Sequence, residues 1–235
     1  MNSSIQDSVN LAWKLALVHK KLAPRSILDS YSLERLPVTA TMISKTTGLL
    51  DSSYKEGMQG WGRGEELREL GVNYRSSPII VDESPSASPN ESSDPYKSGG
   101  SGPGIRAGDR APDAPAILSV HGSGGQRLFD VFKPNRHTVL IFDPSAALQN
   151  KVVDAVKEYP AGTVVTVAVI PAGSAFELST RSPDCIFQDL QGYAYKYYKT
   201  EAELKIVTIR PDMVVGAVVC GVEGVKKYFG GIFEI

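Results

Sequence analysis

Cysteine is nearly absent from this 235-residue chain: only Cys185 and Cys220 occur. Two cysteines cannot build a disulfide framework or a four-cysteine zinc site, and no C-x-x-C is present. This predicts a reducing, cytoplasmic setting. Long apolar runs are also missing. Val164–Ile170 and Met213–Cys220 are the longest, far short of the ~20 residues that span a bilayer. Met1-Asn2-Ser3-Ser4 has neither the basic start nor the apolar stretch of a signal peptide. An excess of one charge is absent too, with 25 Lys and Arg against 26 Asp and Glu. That balance argues against nucleic acid or an anionic membrane as a partner. The three histidines, His19, His121 and His137, lie far apart without metal-ligand spacing, so no metal site is expected.

What is present is an ordinary globular composition, 42% apolar and 22% charged, with its glycines and prolines unevenly spread. Ser84–Gly104 holds seven Ser, four Pro and four Gly in 21 positions. Such a segment buries too little apolar surface to offset the entropy of ordering it, and reads as a flexible linker. Gly100-Ser101-Gly102-Pro103-Gly104 lies within it, without the strand before and helix after that a phosphate loop requires. The chain therefore divides into a helical part over 1–81, a linker over 82–104 and an α/β part over 105–235.

The first part has helical spacing. Ile5, Val9, Ala12, Trp13, Ala16 and Leu17 recur on one face, and Ser4 with Asp7 resembles a capping box. Pro24 suits a helix start, Ile27, Leu28, Tyr31 and Leu36 form a second face, and Pro37 is expected to kink or interrupt that helix. Helix then resumes from Val38 to about Tyr54. Gly57, Gly60, Gly62 and Gly64 signal irregular structure, and Tyr74–Val81 an extended segment. Alone, this part buries little and needs a partner surface.

After the linker, strands are expected at His137–Phe142, Thr163–Ile170, Lys205–Arg210 and Val214–Val219. Helices are expected at Ala146–Tyr159 and Val222–Phe229, with a helix or turn at Tyr193–Tyr198. Arg210-Pro211-Asp212-Met213 is a turn tetrad between the last two strands. The order β-α-β then β-β-α is thioredoxin-like. Yet Phe142–Ala147, where a thiol nucleophile would sit, has no cysteine. Cys185 is expected in a loop and Cys220 buried, so thiol–disulfide and peroxidase chemistry are rejected.

The opening Met1-Asn2-Ser3-Ser4-Ile5-Gln6-Asp7-Ser8-Val9-Asn10-Leu11-Ala12-Trp13-Lys14-Leu15 resembles the M-N-T-G-I-Q-D-A-x-N-L-A-W-K-L signature of FAD-dependent aromatic monooxygenases of the phenol-hydroxylase-like family. Leu28-Asp29-Ser30-Tyr31 with Glu34-Arg35-Leu36-Pro37-Val38 is similar to the family's next landmark. Arg106-Ala107-Gly108-Asp109-Arg110-Ala111-Pro112-Asp113-Ala114 is similar to the start of its C-terminal thioredoxin-like domain. Leu128–Phe132 and Val207–Asp212 are similar to later landmarks. The fold class implied is α/β: a thioredoxin-like domain, its central mixed sheet flanked by helices, preceded by a helical segment from a flavoprotein hydroxylase fold.

The resemblance implies FAD as cofactor, NAD(P)H as co-substrate, O2, and a phenolic small molecule as substrate. It also implies a homodimer or pairing with a full-length relative through the thioredoxin-like domain. A helix N-terminus carries partial positive charge and unpaired N–H donors. In the family that helix start contacts the N1–C2=O edge of the flavin, and the matching positions are Met1, Asn2 and Ser3. Gln6 and Asp7 are expected to support the helix start. No catalytic residue is assigned. The family's G-x-G-x-x-G unit has no counterpart in these 235 residues, so activity of this chain alone is not expected. A catalytically inactive assembly module or a truncated gene product is the alternative.

Other features read as structural. His19 ends a helix where a cation suits the dipole. Ser123 lacks the strand–turn–helix frame of a nucleophile elbow. Tyr193, Tyr195, Tyr197 and Tyr198 form an aromatic cluster better suited to packing than to stacking on bases.

Overall fold

The computed structural model describes residues 2–56, 71–85, 94–96, 104–120, 125–174, 182–198 and 205–234. Helix α1 (Asn2–His19) leads through a 3-10 turn (Arg25–Leu28, entered at Pro24) into the 28-residue α2 (Asp29–Glu56). Strands β1 (Val81–Asp82), β2 (Ile117–Ser119) and β3 (Gly125–Gln126) precede the short α3 (Leu128–Val131). Then follow β4 (His137–Ile141), α4 (Ala146–Val156), β5 (Val164–Pro171), β6 (Cys185–Asp189), α5 (Tyr193–Tyr198), β7 (Ile206–Ile209), β8 (Val215–Val219) and α6 (Val222–Gly230).

The described strands join in one mixed sheet, ordered β1-β8-β7-β4-β5-β6-β2-β3. Strand β4 pairs in parallel with β5 through the α4 crossover, and antiparallel with β7, which pairs antiparallel with β8. This is the thioredoxin-like core that the β-α-β, β-β-α order predicts. Period-two alternation sends β4 side chains to two cores. Leu140 faces one with Val167, Val207, Leu128, Phe132 and Tyr198. Val139 and Ile141 face the other with Val152, Val225 and Phe229.

The second core also holds Trp13, Leu17, Ala23 and Ile27. Helix α1 therefore lies on the same sheet face as α4 and α6. Residues 81–82, where the helical part meets the linker, add an edge strand parallel to β8. Within the Ser/Pro/Gly stretch, Ser84 and Tyr96 are buried, and the Pro95 carbonyl accepts a hydrogen bond from the Asn73 N–H. Gly57, Gly60, Gly62, Gly64 and the Gly100–Pro103 stretch lie outside the described residues.

Several local expectations are corrected. Helix α2 runs through Pro37 without interruption; proline removes one donor, but the flanking turns hold. Residues 74–80 are mostly turns, and only Val81–Asp82 are extended. Cys185 opens β6 instead of lying in a loop, and Cys220 is exposed, not buried. Strand β8 ends at Val219, so the next side chain leaves the core. Burial, then the neighbouring Asp184, push the Cys185 thiol upward, which disfavours its thiolate. Strands β2 and β3 are too short for a periodicity to show.

His137 opens β4 at 1% exposure, ringed edge-on by Trp13, Tyr228, Phe229 and Phe233. Its Nε2 has no hydrogen-bond partner. Burial, and then the Arg210 charge, lower its pKa to about 3. The unfolded chain takes up this proton near the ordinary value of about 6.5, well before the folded one does. Stability therefore holds above that value and falls as the pH drops below it. Between pH 6.5 and 5, before carboxylates titrate, the unfolding free energy from urea titrations should fall by up to about 1.4 kcal/mol per pH unit. His137→Phe should flatten that slope.

Candidate functional site

Met1 lies outside the described residues. Asn2 opens α1 and is exposed, and Ser3 is half-buried. No acidic residue occupies the first turn, so no side-chain charge there offsets the helix's positive end. Ser4 sits inside the helix, two residues past its start, so the Ser4–Asp7 pair is not the expected capping box. The Asp7 carboxylate turns to Arg35 instead.

Arg35, 2% exposed on α2, ties down this end of α1. Its Nε donates to Asp7 Oδ1 at 2.7 Å and its Nη1 to Gln6 Oε1 at 2.8 Å. Nη1 also donates to Tyr74 Oη at 3.1 Å, and Nη2 to the Ser3 carbonyl at 3.3 Å. Burial opposes its charge, but Tyr74 and Asp7 outweigh that and hold its pKa above the usual range. Gln6 and Asp7 thus support the helix start through a residue on another helix. One guanidinium fixes the position of Asn2 and Ser3 against the rest of the fold.

The preceding residue, Glu34, joins the helices to the sheet. Its side chain is fully buried. The Arg210 guanidinium grips it with two bonds, Nη1 to Oε1 at 2.7 Å and Nη2 to Oε2 at 2.9 Å. Lys14 Nζ donates to Oε2 at 2.9 Å, Asn10 Nδ2 to Oε2 at 2.6 Å and Ser77 Oγ to Oε1 at 2.6 Å. Arg210 and Asp212 come from the β7–β8 turn, closed by the Met213 N–H donating to the Arg210 carbonyl. Asp212 accepts from Arg210 Nε and Nη2 at 3.0 and 2.5 Å, and from Trp13 Nε1 at 3.3 Å. Burial alone would raise the Glu34 carboxyl, but Arg210, its hydrogen bonds and Lys14 hold it far below the usual carboxylate range. Lys14 shares that carboxylate with Arg210. Its own burial, and repulsion from Arg210, lower its pKa to about 8.

The segments quoted for their resemblance therefore converge in space. Asn10, Trp13 and Lys14 come from the first, Glu34 and Arg35 from the second, Arg210 and Asp212 from the last. Sequence reasoning missed this cluster because it sought the apolar face of α1. Ile5 and Val9 on that face are exposed, at 56% and 43%, as are Ala12 and Ala16. The buried stripe is Asn10, Trp13, Lys14 and Leu17. Its i, i+3, i+4, i+7 spacing was visible, but two of its members are polar and lower its apolar signal.

Beside this seam, Ile5, Val9, Val72, Met213 and Val214 wall a cleft of about 200 Å³, with Gln6, Asn10, Tyr74, Arg110 and Asp212 as its polar lining. Gly108, at φ +92°, lets its loop approach residues 74 and 75; a Cβ there would lie 2.5 Å from the Arg75 nitrogen. The Tyr74 N–H donates to the Gly108 carbonyl.

At the end of β4, the thioredoxin nucleophile position, stands Asp143. It accepts from Lys205 Nζ at 2.5 Å and from the Ser145 N–H at 2.7 Å. In the tyrosine cluster, Tyr198 donates to the Pro112 carbonyl and Tyr195 to the Val169 carbonyl, while Tyr197 is exposed. Ser123 and His121 lie outside the described residues. Among the described residues, no group of three or more His, Cys, Asp or Glu is placed to hold a metal. None of the described helices is long and apolar enough to cross a membrane.

Removing one partner of a buried ion pair strands the other charge. Glu34→Ala should lower the unfolding free energy by about 3–5 kcal/mol, read from urea unfolding followed by circular dichroism. Lys151→Ala, at an exposed position on α4, serves as the reference and should change it by less than about 0.5 kcal/mol.

Comparison with known proteins fits this arrangement. Residues 1–46 match the family model described as FAD binding domain. The chain is 35% identical over 146 residues to a flavin-dependent monooxygenase of Mycobacteroides abscessus, covering 62% of this chain and 26% of that protein. It is 27% identical over 234 residues to pentachlorophenol 4-monooxygenase of Sphingobium chlorophenolicum, covering 92% and 38%. It thus spans about a quarter to two fifths of the length of these curated relatives. The crystal structure of the flavin-dependent monooxygenase PieE, in complex with FAD and substrate, matches its fold with a TM-score of 0.67 at 19% identity, covering 98% of this chain and 44% of that one. The chain is thus similar, over nearly its whole length, to part of the FAD-dependent aromatic monooxygenases of the phenol-hydroxylase-like kind.

Proposed function

We propose that this chain contributes the flavin-facing start of α1, together with the thioredoxin-like unit that supports it, to FAD- and NAD(P)H-dependent hydroxylation of a phenolic ring. The observation that carries this reading is the Arg35 clamp, which holds the first turn of α1 in a fixed position. The donor set there suits the oxygen-rich N1–C2=O edge of a flavin, where negative charge gathers on reduction. It comprises backbone N–H groups of Asn2 and Ser3, the Asn2 carboxamide and the positive end of an 18-residue helix. FAD, when bound, supplies the reaction with O2. The protein's part is to position it and to favour negative charge at its N1–C2=O edge. Asn2 and Ser3 would bind that edge, with Met1 adjoining in sequence. Gln6, Asp7 and Arg35 keep the donors in place.

Few contacts make this half of the site weak by itself, because binding must offset lost translational and rotational freedom. A dinucleotide-binding unit, on the same or another chain, completes it in this reading. Riboflavin added to the isotopically labelled chain should give saturable amide shifts at Asn2, Ser3 and Ser4. Ser3→Asp should weaken them roughly tenfold, about 1.4 kcal/mol. Shifts confined to other residues would contradict the proposal.

A second reading, an assembly module that pairs with another copy, is favoured by α2. Leu33, Leu36, Ile43 and Leu50 are 54–67% exposed on one helical face, a stripe of the kind that marks interaction surfaces. Sedimentation at rising concentration should show a dimer that Leu36→Glu/Ile43→Glu abolishes. A monomer at all concentrations would remove this reading.

A further inference from the structure

We propose that the cleft beside α1 is a binding site for a small aromatic carboxylate, independent of flavin. Its walls come from three parts of the chain: Ile5 and Val9 of α1, Val72 and Tyr74, and Met213 and Val214 of the β7–β8 turn. A buried apolar cavity of about 150 Å³ accepts benzene. At about 200 Å³, this cleft has room for one ring and one small substituent. The Tyr74 ring and the Met213 thioether are groups that favour an aromatic occupant.

Charge at the cleft selects the substituent. Asp212 lines it, but its carboxylate is already taken by Arg210, Trp13 and Asn10. Lys14 and Arg210 are committed to Glu34. Arg110 is different. It lines the cleft, is exposed, and its guanidinium has no partner among the described residues. Every other arginine bordering the α1–sheet seam (Arg35, Arg75, Arg106 and Arg210) is paired with a carboxylate. An uncommitted guanidinium beside an apolar pocket matches a carboxylate in charge and in fork geometry. Met213, at the pocket wall, holds φ +60°, a conformation uncommon outside glycine and more frequent at functional sites. An occupant would touch α1 and the β7–β8 turn at once, and so strengthen the docking of α1 on the sheet.

The test is calorimetric titration of the whole chain, without flavin, using benzoate and its neutral counterpart benzyl alcohol. Benzoate should bind saturably, roughly tenfold or more tighter than benzyl alcohol, as expected for a charge-assisted hydrogen bond. Arg110→Gln, an exposed position, should bring the two ligands to about equal affinity. Val9→Trp, which fills the cleft and leaves Arg110 in place, should abolish both. No saturable benzoate heat, equal affinity for the two ligands in the unmodified chain, or benzoate binding unchanged by either substitution would overturn the proposal. Because no flavin is present, the outcome is separate from that of the riboflavin measurement.

Discussion

The contact on which this fold turns is the buried pairing of Glu34 with Arg210. It links the second helix to the turn between the last two strands, 176 residues apart in sequence. Both side chains are fully buried, so neither could remain charged without the other except at a cost of several kcal/mol. The pair tolerates burial because its remaining hydrogen-bonding capacity is met. Lys14, Asn10 and Ser77 serve the carboxylate, and Asp212 serves the guanidinium. Trp13 and Tyr74 rings flank Arg210, with centroids at 5.3 and 5.8 Å. A network satisfied to this degree fixes one docking geometry, because a slipped helix would leave charges unpaired.

That fixed geometry is passed to the start of α1 through one peptide bond. Glu34 anchors α2 to the sheet; Arg35, the next residue, reaches Ser3, Gln6, Asp7 and Tyr74. The first turn of α1 is therefore positioned by the same short stretch that locks the helices in place. If that terminus meets a planar cofactor, as proposed, position matters more than added binding strength. The thioredoxin-like unit has no thiol at the end of β4. What it supplies to the seam is the sheet that presents Arg210 and Asp212, and the aromatic wall that seats Trp13.

Much of the architecture was legible because period and punctuation agreed. The β-branched run at Thr163–Ile170, the Arg210–Met213 turn and the α4 and α6 patterns each correspond to an observed element. Pro37 misled, because a proline inside a long, tertiary-supported helix loses one hydrogen bond without ending it. Cys220 misled, because burial follows strand length and the strand stops one residue earlier. The polar stripe of α1 was invisible for a deeper reason. Asn10 and Lys14 are buried only because Glu34 is, and Glu34 only because Arg210 is. No local pattern encodes a partner almost two hundred residues away. What the sequence did carry was the clustering of charged residues inside otherwise apolar motif segments, Lys14, Glu34–Arg35 and Arg210–Asp212, and these proved to be a single site.

A double-mutant cycle on Glu34→Gln and Arg210→Met measures this anchoring most directly. If the pair holds the helices to the sheet, each single change is costly and the double change is much less so than their sum, with a coupling energy of at least about 2 kcal/mol. Additive effects, within about 0.5 kcal/mol, would contradict the account: the helices would then be held by apolar packing alone, with the buried charges incidental to it.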